Sequence, residues 1–388
     1  MNCKLGILTS HPIQYQAPLF RELAQRCDLH VYFAHRQTPQ GQAAAGFGVA
    51  FEWDVDLISG YRHTFLVNVA SQPSTGAFKG CDTPTIANEI KSGDFDAFLV
   101  MGWHLKCFWQ AIRACQRQGV PVMVRGDSQL GTPRTLLKRA VKALIYPWVI
   151  HQFDACLYVG QRNREYLEHY GAPADRLFFA PHCVDTRAFA SGAAAVDRDA
   201  VRAAWGLKPP HQAVLFAGKL LGLKRPADLV RAVAQLRVQG QQAVLVWAGD
   251  GPDRGALQAL GESLKVPMVF LGFCNQTKLP GVYRAVDVLA LPSESETWGL
   301  VVNEAMSCGT PCVVSVACGC APDMIVPGVS GTVFETGDVD SFSIMLTKAL
   351  RIKRDTPGMS MLSDRYSTTA TASGVLVAVA VLRTRAGR

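Results

Sequence analysis

Apolar residues along this chain fall into short continuous blocks separated by amphipathic stretches. Lys4-Leu-Gly-Ile-Leu-Thr9 reads as a buried strand, followed by a polar loop from Ser10 to Gln16 and by Leu19, Phe20 and Leu23 at helical spacing. The alternation continues with a strand from Phe95 to Met101, a helix near Leu105 to Gln118, and a strand from Val120 to Arg125. It restarts at Ala213 to Ala217 and recurs at Ala243 to Trp247, Met268 to Leu271, Val286 to Leu291 and Cys312 to Val316. Apolar strands alternating with amphipathic helices predict parallel sheets with crossover helices. Two such series predict an α/β protein of two Rossmann-like, doubly wound domains facing a cleft. Residues 188–205, rich in Ala and Gly and poor in aromatics, are expected to link a domain over 1–187 to one over 206–352. A tail over 353–388, with helical apolar spacing from Asp364 to Leu382, is expected to pack back on the first domain.

The length of 388 residues is too great for one ordinary hydrophobic core, and an apolar share of 49% fills two. Charged residues make up 18%, with a net charge of +8 spread along the chain. That balance suits an anionic substrate or membrane surface and does not require nucleic acid. Twelve Cys without regular spacing, and no signal-peptide pattern before the first strand, predict a reducing, cytoplasmic setting. Cys308, Cys312, Cys318 and Cys320 lack paired C-x-x-C spacing and read as buried thiols, not zinc ligands. The apolar run Gly374 to Leu382 is well short of the roughly 20 residues a membrane span needs.

The most informative stretch is Leu291 to Pro311, LPSESETWGLVVNEAMSCGTP. A strand ends in a polar loop, a helix is expected to begin near Trp298, and Gly309-Thr-Pro311 stops it. Backbone N–H groups at Trp298, Gly299 and Leu300 would then offer partial positive charge to a diphosphate. Glu296 before the helix and Glu304 in its second turn flank that anion site, on the order of 10 Å apart at 1.5 Å rise per residue. Carboxylates accept hydroxyl hydrogen bonds, so Glu296 suits a sugar and Glu304 a ribose. The alternative is an N-terminal Glu stabilising the helix dipole and an exposed second-turn Glu.

This segment resembles the E-x7-E motif of glycosyltransferase family 4, and Pro292-Ser293, Trp298-Gly299-Leu300, Glu304-Ala305-Met306 and Cys308-Gly309-Thr310-Pro311 follow the family pattern in order. Phe216-Ala-Gly-Lys-Leu220 with Lys224 is similar to the family's phosphate loop, which implies that Gly218 lets the backbone approach and that Lys219 and Lys224 meet the diphosphate. Trp247 to Gly255, with Gly249 and Gly251, is similar to its next Gly-rich loop, and Leu271-Gly-Phe273-Cys274 to the segment lining the nucleobase. With Thr297 these residues make up the donor site that the resemblance implies. His11 to Phe20, Met101 to His104, Pro121 to Ser128 and Pro181 to Asp185 resemble a subgroup of the same family. The resemblance implies a retaining transfer from a nucleoside diphosphate sugar to a glycan or lipid-linked hydroxyl, in assembly of a surface polysaccharide or lipid-linked glycan. The N-terminal domain would bind the acceptor, with His11, Gln14 and His104 as candidates. Asp127 stands where many members carry a cleft-lining His, and has three readings: catalytic near the sugar, acceptor-binding, or a cap of the next turn. Asp323 stands where members often have Glu, and no role is assigned to it.

Gly249 to Gly255 could pass as a dinucleotide fingerprint, but no acid ends the following strand. The D-x-D strings Asp54/Asp56, Asp94/Asp96 and Asp338/Asp340 are of a kind that arises by chance, and no metal or other cofactor is expected. A nucleotide-sugar epimerase and a catalytically silent sugar-nucleotide binding subunit share these features and stay open as alternatives. Arg134 to Trp148 reads as a helix with a basic stripe of Arg134, Lys138 and Lys142, joined by Arg139, and with Leu137, Val141, Leu144 and Ile145 on another face. Two readings are open: the helix lies on an anionic membrane with Trp148 as an anchor, at the inner face of the membrane, or its apolar face packs on the first sheet.

Overall fold

The structure is a computed structural model that describes residues 3–38 and 52–387. The chain divides into two compact units, one of residues 3–38, 56–183 and 367–387, the other of 52–55 and 184–366.

The first unit holds β1 (Lys4–Thr9), β2 (Asp28–Phe33), β3 (Arg62–Phe65), β4 (Ala97–Val100), β5 (Val122–Arg125), β6 (Ala155–Tyr158) and β7 (Leu177–Phe179) in one sheet of order β3-β2-β1-β4-β5-β6-β7. Every ladder in it is parallel. Successive side chains leave a strand on opposite faces, so Ile7 and Leu99 join one apolar cluster while Leu8 and Val100 join another. The chain order reverses between β1 and β4, so the loops after these strands diverge at the C-terminal edge of the sheet.

The second unit repeats the plan with β8 (Gln212–Ala217), β9 (Ala243–Ala248), β10 (Met268–Gly272), β11 (Val288–Leu291), β12 (Cys312–Ser315) and β13 (Gly331–Phe334), in the order β10-β9-β8-β11-β12-β13. All its ladders are parallel as well. All six residues of β9 are buried, and the Pro226–Val238 helix covers the sheet with Leu229, Val233 and Leu236. Here the order reverses between β8 and β11.

Three expectations from the sequence need revision. Residues 188–205, read as a linker, form most of two helices, Thr186–Ala194 and Arg198–Ala204, belonging to the second unit. Small side chains let them pack closely on the Leu279–Ala285 helix, and Asp287 holds the second one. Its carboxylate accepts from Arg198 (2.5 Å), Arg202 (3.1 Å) and the Ala213 amide (2.7 Å). The 353–388 tail is divided as well. The Pro357–Arg365 helix stays with the second unit, whereas Thr368–Arg385 places Ala372, Val375, Leu376 and Val379 in one core cluster with Leu5, Ile7 and Leu19.

The third revision concerns the Leu136–Ile150 helix. Its apolar face is not packed on the sheet: Leu136, Leu137 and Leu144 are 80%, 74% and 83% exposed. Lys142, expected on the outer basic stripe, turns inward. Its ammonium donates to the Tyr166 hydroxyl (3.1 Å) and lies 4.3 Å from the centre of the Tyr146 ring. Three tyrosine faces attract a cation there while the aliphatic stem lies against the rings. Burial, then the neighbouring Arg134, pulls the Lys142 pKa down to about 8.

Candidate functional site

At the C-terminal edge of the second sheet, the loops after β8 and β11 meet at the reversal of strand order. The Glu294 amide donates to the Leu223 carbonyl (2.9 Å), joining the two loops through their backbones. This contact sets Lys224 beside Glu296, and the Lys224 ammonium donates to the Glu296 carboxylate. Both side chains are about three-quarters buried or more, at 26% and 17% exposure. Lys219 lies in the same loop, its pKa lowered first by burial and then by the charge of Lys224.

The loop after β9 closes against the loop after β8 without side chains between them. Gly218 donates to the Ala248 carbonyl (2.9 Å) and Leu220 to the Asp250 carbonyl (3.0 Å). Gly249 has φ +145°, and a Cβ there would meet the Gly218 carbonyl oxygen at 1.9 Å, so only glycine lets these turns touch. Gly251 sits over the Leu220 backbone in the same manner. Gly249 also donates to the carbonyl of Gly272 (2.8 Å), which brings Phe273 and Cys274, after β10, to the same edge. Cys274 is a buried thiol against the Gly272 carbonyl.

The helix expected from Trp298 begins two residues later, as Leu300–Ser307. Gly299, its N-cap, has φ +105°, a left-handed conformation outside the helix. Thr297 and Trp298 instead belong to the preceding loop. The Glu296 and Trp298 carbonyls accept from Gly319 (2.9 Å) and Cys320 (3.0 Å), and the Trp298 indole donates to Asn303 (2.9 Å). Glu304, in the second turn, is not the exposed residue of the alternative reading: it is 8% exposed and accepts from the Tyr283 hydroxyl (2.6 Å). Burial pushes its pKa up to about 7, against the opposing hydrogen bonds from Tyr283 and Gln276.

In the first unit, the C-terminal ends of β1, β4, β5 and β7 carry a second polar group. Asp127 follows β5, with His182, after β7, at 4.0 Å from its carboxylate. The Tyr15 ring meets the His182 ring edge-on at 5.2 Å. His104, after β4, feels the Asp127 charge, which partly offsets the lowering of its pKa by burial. His11 is bonded to Ser10 (2.9 Å) instead, and burial, then His35, lowers its pKa to about 4. Gln14 is half-buried in the same loop. Sequence reasoning left out His182, Tyr15 and Arg125. Their one visible signal was that Pro181 to Asp185, His11 to Phe20 and Pro121 to Ser128, which hold them in that order, resemble a subgroup of the family.

The D-x-D aspartates have structural partners. Asp94 is the left-handed C-cap of a helix, Asp96 accepts from the Lys4 amide (2.8 Å), Asp338 caps a helix through the Ser341 amide (2.9 Å), and Asp340 accepts from Gln235 (2.6 Å). Asp56 accepts from Ile58 and Ser59, and Asp54 from Thr277. The twelve cysteines are all free thiols.

Residues 197–360 match the family of glycosyl transferases group 1. A D-inositol 3-phosphate glycosyltransferase of Mycobacterium marinum is 36% identical over 186 residues, which is 46% of this chain and 38% of that protein. The Mycolicibacterium smegmatis protein of that name is 32% identical over 206 residues, 51% of this chain and 45% of its own length. The chain thus matches less than half the length of these curated relatives. Among solved structures, Anabaena HepE in complex with UDP and glucose superposes with a TM-score of 0.68 at 16% identity, covering 97% of this chain and 99% of that one. A glycosyltransferase from Rickettsia africae gives a TM-score of 0.74 at 12% identity, with 98% of each chain covered. Two parallel-sheet units and this likeness make the fold GT-B type, with two Rossmann-like domains.

Proposed function

We propose that this protein is a retaining glycosyltransferase of family 4 that moves a sugar from a nucleoside diphosphate sugar to a hydroxyl acceptor. The observation that carries the reading is the Lys224–Glu296 pair at the β8/β11 reversal, beside Lys219 and the Gly218/Gly249 contact. Ligands of open α/β sheets bind outside the carboxyl ends of the strands at such a reversal. Lys219, Lys224 and the start of the Leu300–Ser307 helix would stabilise the charge that develops as the diphosphate departs. Backbone close enough to touch at Gly218 and Gly249 leaves room for phosphate oxygens. Glu296 would take the donor sugar's hydroxyls and Glu304 the ribose. With fixed ammonium groups opposite the diphosphate, no metal is required. Retention rests on resemblance to the family, by attack on the same face as departure, without a covalent intermediate.

Support for a nucleotide donor comes from a neighbour in fold, Anabaena HepE, solved in complex with UDP and glucose. The acceptor is a glycan or lipid-linked hydroxyl, in assembly of a surface polysaccharide or lipid-linked glycan. A lipid-linked acceptor fits the Leu136–Ile150 helix, whose exposed Leu136, Leu137, Leu144 and Trp148 lie near Arg134, Lys138 and Arg139. That combination suits peripheral attachment to an anionic bilayer. No helix among the described residues is long and apolar enough to cross a membrane.

The test is a panel of nucleotide sugars, read first by thermal stabilisation and then by nucleotide release with candidate acceptors. Stabilisation by one nucleotide sugar, and release of its nucleotide coupled to glycosylation of an added acceptor, is expected. Conversion of the donor to another nucleotide sugar without acceptor would replace the reading with an epimerase.

A further inference from the structure

Asp323, for which sequence reasoning found no role, is tied to the loop that carries Glu296. It lies in the short Ala321–Met324 helix, and its amide donates to the Cys320 carbonyl (3.1 Å). The turn before that helix is laid along the Glu296 loop. Glu296 and Cys318 form an isolated parallel bridge, followed by the bonds from Gly319 and Cys320 to the Glu296 and Trp298 carbonyls. A Cβ at Gly319 would meet the Thr297 carbonyl oxygen at 1.8 Å, so the two backbones touch with no side chain between them. The Asp323 carboxylate accepts from the Tyr366 hydroxyl (2.8 Å). The Tyr366 ring, 1% exposed, packs on the Trp298 indole, 3% exposed, at 5.5 Å between centres. Trp298 stands two residues after Glu296 and is bonded in turn to Asn303 on the Leu300–Ser307 helix. The backbone of Tyr366 is fixed as well, because it caps the Pro357–Arg365 helix, whose Ser363 is bonded to Ser307 (2.9 Å).

We infer that Asp323 and Tyr366 are positioning residues for the donor sugar, acting through Trp298 on the loop that sets Glu296. This rests on the transferase reading above, in which Glu296 takes the sugar's hydroxyls. A buried phenol needs an acceptor, and one bond to a carboxylate fixes the direction in which the ring is held. Burial, then the Asp323 charge, raises the Tyr366 pKa, so the hydroxyl keeps the proton it donates. The brace has its effect once the donor is bound. In the ligand-free protein Lys224 holds the Glu296 carboxylate, but a diphosphate would draw that ammonium away. Glu296 would then depend on its own backbone, and a small misplacement of a group that orients the reacting sugar lowers the rate. Lys219 and Lys224 follow β8, and Glu304 is held by Tyr283, so the groups assigned to the nucleotide do not depend on this brace. Loss of the brace therefore acts on turnover and spares nucleotide affinity.

The test uses the full chain with the nucleotide sugar that the panel above selects, and reads kcat against the Kd of its nucleoside diphosphate. Tyr366→Phe removes the hydroxyl and keeps the ring. It is expected to lower kcat roughly threefold to tenfold and to leave that Kd within about twofold of wild type. In an Asp323→Ala background the same change is expected to cost less than about twofold, because the bond is already gone. Wild-type kcat in Tyr366→Phe, a loss of nucleotide affinity equal to the loss of kcat, or an undiminished loss in the Asp323→Ala background would each overturn the inference. Asp323→Ser, whose hydroxyl is too short to reach Tyr366, replaces Asp323→Ala if that variant does not fold. A second measurement needs no turnover. The indole 15N–1H signal of Trp298, assigned by its disappearance in Trp298→Phe, is expected to shift in Tyr366→Phe. An unshifted signal overturns the brace. A shifted signal in a protein that transfers sugar from no nucleotide donor overturns the transferase reading, and the sugar role with it, while the contact of Tyr366 with Trp298 stands.

Discussion

Lys224, in the loop after β8, and Glu296, in the loop after β11, form an ion pair across the point where the second sheet reverses its strand order. Under the proposed function, an arriving diphosphate would compete with Glu296 for the ammonium. Glu296→Gln should therefore lower turnover by roughly ten- to a hundredfold while nucleotide affinity holds or improves, because the amide releases Lys224. Steady-state kinetics and nucleotide titration check this. A loss of nucleotide affinity equal to the loss of turnover would remove Glu296 from the sugar and leave it as a support for Lys224.

Glu304, proposed above to take the ribose, also bears on stability. Its pKa is raised from 4.5 to about 7, chiefly by burial, so the folded protein holds a proton that the unfolded chain has released between these values. Stability is then fully present below about pH 4.5 and declines as pH rises through 7, with a slope of at most about 1.4 kcal/mol per pH unit from this group. Glu304→Gln should flatten the fall of Tm between pH 5 and pH 8, about the range of that titration. It should also weaken nucleotide binding, since an ionised carboxylate accepts ribose hydroxyls better than an amide. Parallel Tm curves for the two proteins would show that Glu304 does not titrate in this range.

Gly249→Ala should be severe for its size. The new Cβ would meet the Gly218 carbonyl at 1.9 Å, in a backbone conformation that disfavours any side chain. A cost of about 2–4 kcal/mol is expected, with loss of nucleotide-induced stabilisation. Denaturant unfolding measures it, and a variant within about 0.5 kcal/mol of wild type would mean that the two loops separate readily.

If Lys219 and Lys224 neutralise the diphosphate as proposed, nucleotide release should continue in excess chelator. Release abolished by chelation and restored by magnesium or manganese would count against the assigned roles of both lysines.

Sedimentation with liposomes tests the exposed helix. Binding to anionic vesicles should fall when Arg134, Lys138 and Arg139 become Gln, and also when Leu144, 83% exposed, becomes Glu. Each exposed base near such a surface contributes about 1 kcal/mol, so three account for reversible attachment. Lys142→Gln should matter less for binding, since its ammonium faces the tyrosines. Equal sedimentation of all variants, or none of the wild type, would remove the membrane reading and leave the transfer chemistry untouched.

Local chemistry made much of this protein legible in its sequence. Continuous apolar blocks such as Ala243 to Trp247 can only be satisfied as strands buried on both faces, and alternation with helices requires parallel sheets. The two Gly-rich loops and the Glu296/Glu304 spacing were visible because each lies within one strand-to-helix turn, where neighbours in sequence are neighbours in space. Tertiary structure alone decided what lies beside what across separate turns. The pairing of Lys224 with Glu296, 72 residues apart, depends on β8 and β11 being adjacent strands. The contact of Asp127 with His182 likewise depends on where β5 and β7 end. The direction of a helix's faces was also out of reach, because Arg134 to Trp148 carries the same spacing whether its leucines face the sheet or the solvent. The tyrosines that drew Lys142 inward come from the 146–170 region folding against it, a long-range packing choice that periodicity does not encode.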